Sequence, residues 1–346
     1  MSTINDVSKL AGVSKATVSR SINNKGNVKE STRRAVLQAM EQLNFKPNSL
    51  AQALANNSSN SIGLIISDFD GGYFGMLLKQ ASQAAEKAGK QLFVTDGHND
   101  PLREIEAIDS LVDRRCDVIV LYSRKLSQQD FIDLKKRIPI PIVVINRQLG
   151  DQLYPAVCFD QQHASSLAVH QLLEMNHTQI ACITSPVSNC AGLLRFKAYQ
   201  EALTERNIKI NEALIAEGDF TVASGYQACI KILASGIPFT ALYAFNDDMA
   251  LGAMKALNEA GLKVPDDVSV IGIDNEPISA YITPPLSSVE LPIAAITDFA
   301  MNVALDLAQG KEVEIKTTEF KGKLIVRDSV RYITNPVTEQ VINNTK

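Results

Sequence analysis

Polar and charged side chains follow several apolar, strand-like stretches of this 346-residue sequence. They are Asn146 and Arg147 after IPIVVI, Arg195 at the start of a helical stretch, Asn246 after ALYAF, and Asp274 after VSVIGI. Amide, guanidinium and carboxylate groups together offer paired donors and acceptors for vicinal hydroxyl groups. Three aromatic residues, Tyr73, Phe74 and Phe220, could form apolar walls for a sugar ring. The pattern predicts a site that binds a small polyhydroxylated molecule.

A purely structural interpretation of these polar residues is also open. Asn and Asp at a strand end often cap the following helix, and we favour this interpretation for Asp247 and Asp248. Five polar groups that follow strand ends in both halves of the chain are harder to explain by capping alone. Binding therefore remains the preferred interpretation of the set.

The sequence lacks the usual catalytic motifs. It contains no GxGxxG after a strand, no GxxxxGK[ST], no GxSxG and no HExxH. His163, His170 and His177 are spaced by seven residues, but zinc would need further ligands. A nicotinamide-dependent dehydrogenase shares the strand alternation described below, yet it requires the missing phosphate-binding loop. We expect binding rather than catalysis, with neither a cofactor nor a metal.

The elements that would position these residues follow a repeating pattern. Buried strand-like runs alternate with amphipathic helical segments from residue 62, as in IGLIIS, KQLFVT and CDVIVLY. The alternation recurs after residue 170 in IACIT, TALYAF and VSVIGI. Continuous apolar strands separated by helices predict parallel sheets with helices on both faces. Two such halves create a cleft where strand ends meet and ligands bind.

Charge is distributed unevenly along the chain. The first 60 residues contain eight lysine and arginine residues against three acidic ones, so their formal charge is +5. The whole chain has a net charge of −4, which leaves −9 for the remainder. A small basic segment joined to a large acidic one indicates that the basic segment meets a polyanion such as nucleic acid, although a merely solvated basic surface is also possible.

The sequence predicts a cytoplasmic protein. No apolar run approaches the roughly 18–20 residues of a membrane-spanning helix, and the first residues have no apolar signal-peptide core. The five cysteines are scattered, odd in number and mostly within apolar stretches. They are typical of reduced core thiols rather than of disulfides or a metal site.

Three short helices are predicted in the basic segment. Thr3 and Asp6 have the spacing of a capping box, and Gly12 can adopt the positive φ of a tight turn. The apolar residues Ile4, Val7, Leu10 and Ala11 share the inner face of the first helix. Ser14 caps a second helix that ends near residue 22, and a third helix spans about 31–43. This arrangement is a helix-turn-helix, although a three-helix bundle with another purpose has the same pattern.

The second helix exposes side chains that suit a DNA major groove. They are Lys15, Ala16, Thr17, Ser19, Arg20 and Asn23. Cationic, amide and hydroxyl groups can contact base edges, and an alanine can contact a thymine methyl group. Ser14 and Ser31 stand at helix N-termini, where phosphate groups bind.

The stretch AGVSKATVSR, the following helix, the NFKPN turn and a downstream A-x-x-L resemble the headpiece and hinge of LacI/GalR-family transcription regulators. The resemblance implies that Lys15 and Ala16 are the main base-reading residues. The DNA contacts implied in full are Thr3, Ser14, Lys15, Ala16, Thr17, Ser19, Arg20, Asn23, Ser31, Asn48 and Leu54. It also implies a dimer on a near-palindromic double-stranded operator, because two headpieces match two half-sites.

Residues 48–61 resemble the hinge of this family. A helix of about eight residues is too short to be stable alone in water. The resemblance implies that two such hinges, one from each subunit, order only on operator DNA. There Leu54 would wedge into the minor groove, although a simple flexible tether is the alternative. Many relatives have a lysine or arginine after this helix, whereas this chain has Asn56 and Asn57.

Residues 62–330 resemble the periplasmic-binding-protein-like sensor of the same family. The implied fold is α/β: an all-α helix-turn-helix headpiece (1–47), the hinge (48–61), and a sensor of two doubly wound parallel-sheet subdomains. Arg195, Asn246 and Asp274 align with residues that hold sugar hydroxyls, and Asn146 and Phe220 align with further contacts. The motifs VTDGH, NDDMALGAMKAL and PLSSVELP look most like the GalR-type branch, which implies a β-glucoside or galactose-like effector. The polar tail (331–346) has no leucine heptads, so a dimer rather than a tetramer is expected.

Overall fold

The structure is a computed structural model that describes residues 2–22, 27–46, 59–69, 71–149, 153–186 and 190–334. The chain divides into two compact units, residues 1–61 and 62–346, which are described separately. Within the described residues, no helix combines the length and the apolar character that a membrane crossing requires.

The described residues of the first unit, which we call the headpiece, form three helices: α1 (Ile4–Leu10), α2 (Lys15–Ile22) and α3 (Glu30–Gln42). Val7, Val18 and Val36, one from each helix, are fully buried and form its small core. The backbone N–H of Thr3 donates to the Asp6 carboxylate at 2.8 Å, which confirms the predicted start of α1. Gly12 has φ = 64°, the left-handed conformation that the turn before α2 requires.

The headpiece differs from the sequence prediction in two places. Leu10 was expected in the core but is 50% exposed, because so small a unit cannot cover every apolar position of a seven-residue helix. Helix α3 begins at Glu30, with Lys29 at the capping position, so Ser31 is the second residue of the helix rather than its cap.

The part of the second unit that the structure describes contains eight further α-helices and twelve strands, and we call this unit the α/β domain. The helices are α4 (Gly71–Lys87), α5 (Pro101–Asp113), α6 (Gln128–Arg137), α7 (Gln161–Glu174), α8 (Cys190–Glu205), α9 (Val222–Ala234), α10 (Asp247–Glu259) and α11 (Ile293–Ala308). The strands are β1 (Ser61–Ile66), β2 (Gln91–Asp96), β3 (Val118–Tyr122), β4 (Ile142–Ile145), β5 (Ala156–Phe159), β6 (Ile180–Thr184), β7 (Ile215–Glu217), β8 (Ala241–Ala244), β9 (Ser269–Asp274), β10 (Ser287–Glu290), β11 (Thr317–Phe320) and β12 (Lys323–Ile325).

The strands form two six-stranded sheets, one in each of two lobes. The sheet of lobe 1 has the order β11-β5-β4-β3-β1-β2, and the sheet of lobe 2 has the order β12-β10-β9-β8-β6-β7. Strand β3 is parallel to β1 and β4, and β9 is parallel to β8 and β10, whereas β12 is antiparallel to β10. Central strands such as β1, β3, β6 and β8 are buried along their whole length, as their continuous apolar runs predict.

The chain crosses between the lobes three times. Strand β5 of lobe 1 is followed by α7 of lobe 2, and β10 of lobe 2 is followed by α11, which packs on α4, β3 and β4 of lobe 1. Strand β11 then pairs with β5 in lobe 1, and β12 pairs with β10 in lobe 2. Each lobe is therefore completed by segments from the C-terminal part of the chain, and the predicted doubly wound halves are confirmed.

Four cysteines are buried and form no disulfide, as expected: Cys116, Cys158, Cys182 and Cys229. The fifth, Cys190 at the start of α8, is exposed, which differs from the expectation of a core position.

Candidate functional site

The outer surface of α2 contains the predicted DNA-contacting residues. Lys15, Ala16 and Arg20 are exposed, while Thr17 and Ser19 are half-buried. The Ser14 hydroxyl accepts the backbone N–H of Thr17 at 3.1 Å, so Ser14 caps α2 as predicted. Within the described headpiece this helix therefore presents two cations and a methyl group outward, on a rigid element, as groove recognition requires.

The other predicted DNA contacts lie at helix starts or outside the described residues. Thr3 is exposed before α1, and Ser31 is exposed in the first turn of α3. Both positions place a hydroxyl near free backbone N–H groups, where a phosphate can bind. Asn23, Asn48 and Leu54 lie outside the described residues.

A cavity of about 290 Å³ lies between the two lobes of the α/β domain. Lobe 1 contributes residues of α4 and residues at or just after the ends of β1, β3 and β4. Lobe 2 contributes residues of α8 and residues at or just after the ends of β7, β8 and β9. The lining residues are Asp68, Gly71, Tyr73, Phe74, Tyr122, Arg124, Asn146, Gln161, Ala191, Arg195, Asp219, Phe220, Thr221, Val222, Asn246, Asp248, Asp274, Glu276 and Leu291. Seven of the eight predicted ligand-binding residues are among them.

Arg195 is the buried cation of lobe 2. Its Nε donates to the Gln161 side chain at 2.8 Å, and its Nη1 donates to the Phe245 carbonyl. Its Nη2 lies 3.7 Å from a carboxylate oxygen of Asp274. The guanidinium is only 4% exposed, so these partners hold it in a single orientation toward the cavity.

Asp274 ends β9 with φ = 113°, a strained backbone conformation for a residue other than glycine. Burial raises the pKa of its carboxyl group to about 8, and the nearby carboxylates of Asp247, Glu276 and Asp248 act in the same direction. Arg195 opposes this rise. Hydroxyl groups of a ligand could donate hydrogen bonds to this carboxyl group and so favour its charged form.

Asn246 has both a structural and a potential ligand-binding role. Its Oδ1 accepts the Met249 N–H at 3.0 Å and caps α10, and its Nδ2 donates to the Phe220 carbonyl at 3.0 Å. Phe220 has φ = 72°, and this hydrogen bond ties its unusual backbone to β8. On the opposite lobe, Asn146 has φ = 66° and accepts from Gln161 at 3.4 Å.

Aromatic rings form the lobe 1 wall. The ring centroids of Phe74 and Tyr122 are 5.2 Å apart, and those of Tyr73 and Tyr122 are 5.9 Å apart, both in edge-to-face arrangements. Tyr73 and Tyr122 are also joined by a side-chain hydrogen bond. Such a wall is apolar and carries polar edges, as sugar-binding surfaces do.

Arg147 differs from the prediction, because it is not among the residues that line the described cavity. Its guanidinium donates to the backbone carbonyls of Arg124 at 3.3 Å and Leu126 at 2.7 Å, and it lies over the Phe131 ring. Arg124 lines the cavity instead, although the sequence analysis missed it. It lies two residues after the end of β3, within LYSR, so the rule that identified Asn146 and Arg147 after β4 would also have found it.

Asp247 and Asp248 do not cap α10, because Asn246 does. Asp247 is fully buried and accepts the hydroxyls of Ser279 and Ser288, both at 2.6 Å, and the Glu276 N–H at 2.9 Å. It therefore fixes the segment after β9 rather than contacting a ligand. Asp248 lines the cavity together with Asp68, Asp219 and Glu276, further lining residues that the sequence analysis missed.

His170 and His177, two of the three histidines spaced by seven residues, have different surroundings. No group of potential metal ligands occurs within the described residues. His177 is buried against Thr240 and the Arg331 carbonyl, and burial lowers its pKa to about 4. His170 instead lies on the surface side of α7 beside Glu205, 3.2 Å away.

Comparison with known proteins accounts for both units. Residues 3–48 match the model of bacterial regulatory proteins of the lacI family, and residues 169–330 match that of a periplasmic binding protein-like domain. The Escherichia coli transcriptional regulator AscG is 40% identical over 332 residues, which cover 95% of this chain and 98% of AscG. The chain belongs to the LacI family of bacterial regulatory proteins. This LacI-family chain is thus a DNA-binding transcriptional repressor with a sensor domain, and it is not an enzyme.

Solved structures of LacI-family proteins agree with this assignment. The lac repressor dimer bound to operator and the anti-inducer ONPF has a TM-score of 0.86 at 30% identity, covering 95% of this chain and 99% of that one. The complex of the transcriptional regulator CelR with cellobiose has a TM-score of 0.71 at 27% identity, covering 95% of this chain and 100% of that one.

Proposed function

We propose that this protein is a cytoplasmic, dimeric repressor of a sugar-utilisation operon, released from its operator by a small sugar bound in the cavity. The observation that carries the proposal is the meeting of Arg195, Asn246 and Asp274 from lobe 2 with the aromatic wall and Asn146 of lobe 1. Directed polar groups opposite apolar rings match the two kinds of surface that a sugar ring presents.

A neutral sugar fits the charges of the cavity better than an anionic one. Five carboxyl-bearing residues line it, against the two cations Arg124 and Arg195. A sugar phosphate or sugar acid would meet repulsion from those carboxyl groups that are ionised. The CelR complex contains cellobiose, a neutral β-glucoside, which supports the same ligand class for this chain. A galactose-like sugar is the second candidate, because one hydroxyl can reverse a preference at such a site.

Operator binding is assigned to the headpiece and hinge. Lys15 and Ala16 on the exposed face of α2 read bases, and Leu54 of the hinge opens the minor groove between two half-sites. The lac repressor structure shows a dimer on its operator, and the same symmetry would pair two headpieces here. Sugar then lowers operator affinity if it binds the DNA-incompetent state more tightly, by a coupling of about 1–3 kcal/mol.

Fluorescence anisotropy on a labelled palindrome tests the proposal. The purified protein is titrated at several salt concentrations, with and without cellobiose or salicin. We expect a tight, salt-sensitive complex that the sugar releases. Tighter binding with a small molecule would instead indicate a corepressor mechanism. Absence of binding to this and to selected random palindromes would leave only a sugar-binding protein and would contradict the proposed repressor.

A further inference from the structure

Arg124 brings a second cation into the cavity, from the lobe opposite Arg195. It belongs to the connection between β3 and α6, residues 123–127, which we call the Arg124 loop. Its guanidinium carbon lies 5.3 Å from the ring centroid of Phe74 and 5.5 Å from that of Phe220. Phe74 belongs to lobe 1 and Phe220 to lobe 2, so Arg124 reaches across the cleft.

The Arg124 side chain is held mainly by rings. It also hydrogen-bonds to the Tyr122 hydroxyl, whose own ring is 5.6 Å away. Contacts with ring faces are weakly directional, and they leave most of the five N–H donors of a guanidinium available for a ligand. The position of this cation therefore depends on how firmly its backbone is held.

Glu104 binds the Arg124 loop through hydrogen bonds. This residue of α5 is fully buried, and its Oε2 accepts the Ser123 hydroxyl at 2.6 Å. The backbone N–H groups of Arg124 and Lys125 also favour the charged form of this carboxylate, although its Oε1 has no hydrogen-bond partner among the described residues. A Cβ atom on Gly97 would overlap the Glu104 side chain, so this close approach depends on glycine at position 97.

Arg147 donates hydrogen bonds to backbone carbonyl groups of the same loop. Its two donors reach the carbonyls of Arg124 and Leu126, as described above. Burial raises the pKa of the Glu104 carboxyl group, whereas its hydrogen bonds and the nearby Arg147 oppose this rise. Glu104 of α5 thus contacts backbone N–H groups of the Arg124 loop, and Arg147 after β4 contacts its backbone carbonyl groups.

We propose that Glu104 and Arg147 are positioning residues, which hold Arg124 where it donates hydrogen bonds to the sugar opposite Arg195. This inference rests on the proposed sugar-binding function and extends it to residues outside the cavity. Burying a carboxylate is costly unless its charge is used. Here the Glu104 carboxylate binds the Arg124 loop, and Arg124 is the residue of this loop that lines the cavity. A rigid donor rejects sugars that lack the matching hydroxyl, so the pair also sets specificity.

A double-mutant cycle tests whether Glu104 acts through Arg124. The dissociation constants of cellobiose and salicin are measured for wild type, Glu104→Gln, Arg124→Ala and the double variant. We expect Glu104→Gln to weaken sugar binding about tenfold in wild type and less than about twofold in the Arg124→Ala background. Equal losses in both backgrounds would overturn the inference, because Glu104 would then act independently of Arg124.

Glu106→Gln provides the matched control, since Glu106 lies on the same helix but is exposed and pairs only with Arg103 within its helix. Amide hydrogen exchange of residues 123–127 should quicken in Glu104→Gln and stay at the wild-type rate in Glu106→Gln. Unchanged exchange in both would refute positioning, even if neither sugar binds the wild type and the proposed function itself fails. If Glu104→Gln does not fold, Arg147→Lys enters the same cycle, because one ammonium cannot reproduce the two-pronged contact with both carbonyls.

Discussion

At the scale of single residues, Arg195 connects more of the cavity than any neighbour described here. It touches Gln161 at the crossing between lobes, the Phe245 carbonyl at the end of β8, and Asp274 at the end of β9. Removing it would leave the buried Asp274 carboxyl without its cation. The arrangement of the ligand site therefore depends on the Arg195 guanidinium, whose contacts given above all lie within the α/β domain.

Arg195→Ala is expected to abolish the response to sugar while operator affinity stays within about threefold of wild type, since the DNA contacts are elsewhere. The measurement is anisotropy on labelled operator, titrated with cellobiose or salicin up to millimolar concentrations. Loss of operator binding with an intact sugar response would contradict the assignment of Arg195 to the ligand site.

Asp247 makes the stability of the protein depend on pH. Burial raises its pKa to about 7, although Ser279, Ser288 and the Glu276 N–H donate to it. An aspartate in the unfolded chain ionises near pH 4, so the folded state binds more protons between about pH 4 and pH 7. Stability that Asp247 provides in its protonated form is therefore lost as the pH rises through this window.

Asp247→Asn removes this titration and keeps the size of the side chain. We expect the melting temperature of the variant, relative to wild type, to improve from about pH 4 to pH 7 and to level off above pH 7. Circular dichroism melts at each pH give the comparison. A difference that does not change with pH would show that the Asp247 proton plays no part in stability.

Sequence reasoning located the candidate site through strand ends but could not orient each side chain. Asn146 and Arg147 are consecutive, and only the first lines the cavity, because its positive φ turns the chain sharply after β4. Arg147 consequently points at the neighbouring loop and supports Arg124. Backbone dihedral angles beyond a strand depend on contacts distant in sequence, so type and spacing alone cannot separate two such neighbours.

At the scale of elements, the N-terminus of α4 contacts lobe 2 across the cleft. The Glu276 carboxylate hydrogen-bonds to the Tyr73 N–H, where the positive end of the helix dipole favours a negative charge. A Cβ atom on Gly72 would overlap this carboxylate, while a Cβ on Gly75 would meet nothing within 4 Å. Substitution of Gly72 tests both the contact with Glu276 and helix propensity, whereas substitution of Gly75 tests helix propensity alone.

Gly75→Ala should stabilise the protein by about 0.5–1 kcal/mol, because alanine favours the helix. Gly72→Ala should fall below wild type, since the same gain is outweighed when Glu276 loses its charged hydrogen bond, worth about 1.5–3 kcal/mol. Urea unfolding followed by circular dichroism measures both. Equal effects of the two substitutions would mean that Glu276 contributes nothing across the cleft.

Elements were predicted more reliably than side chains. The turn at Gly12, the cap at Ser14 and the buried strands of both lobes follow from local patterns, and the structure has them. Leu10 shows the limit of such patterns, because helical periodicity identifies the inner face of α1 but not how much of it three short helices can cover.

At the scale of the whole molecule, neither lobe is continuous in sequence. Lobe 1 needs α11 and β11 to cover its sheet and pair the edge of β5, although both follow the whole of lobe 2 except β12. A chain that ends at residue 292 should therefore remain without a cooperative unfolding transition in calorimetry, whereas one that ends at residue 334 should retain it. A cooperative transition in the shorter chain would show that lobe 1 folds without its C-terminal segments.

Because α11 and β11 complete lobe 1, the order of synthesis determines when each lobe can finish folding. A ribosome that adds roughly 5–20 residues per second needs about ten to thirty seconds to proceed from β5 to the strand that pairs with it. Throughout that interval the nascent chain exposes an open sheet edge and an uncovered apolar face, which are the features that promote aggregation. Lobe 2 is synthesised in the meantime, so lobe 1 begins before lobe 2 but is completed only when β11 has emerged.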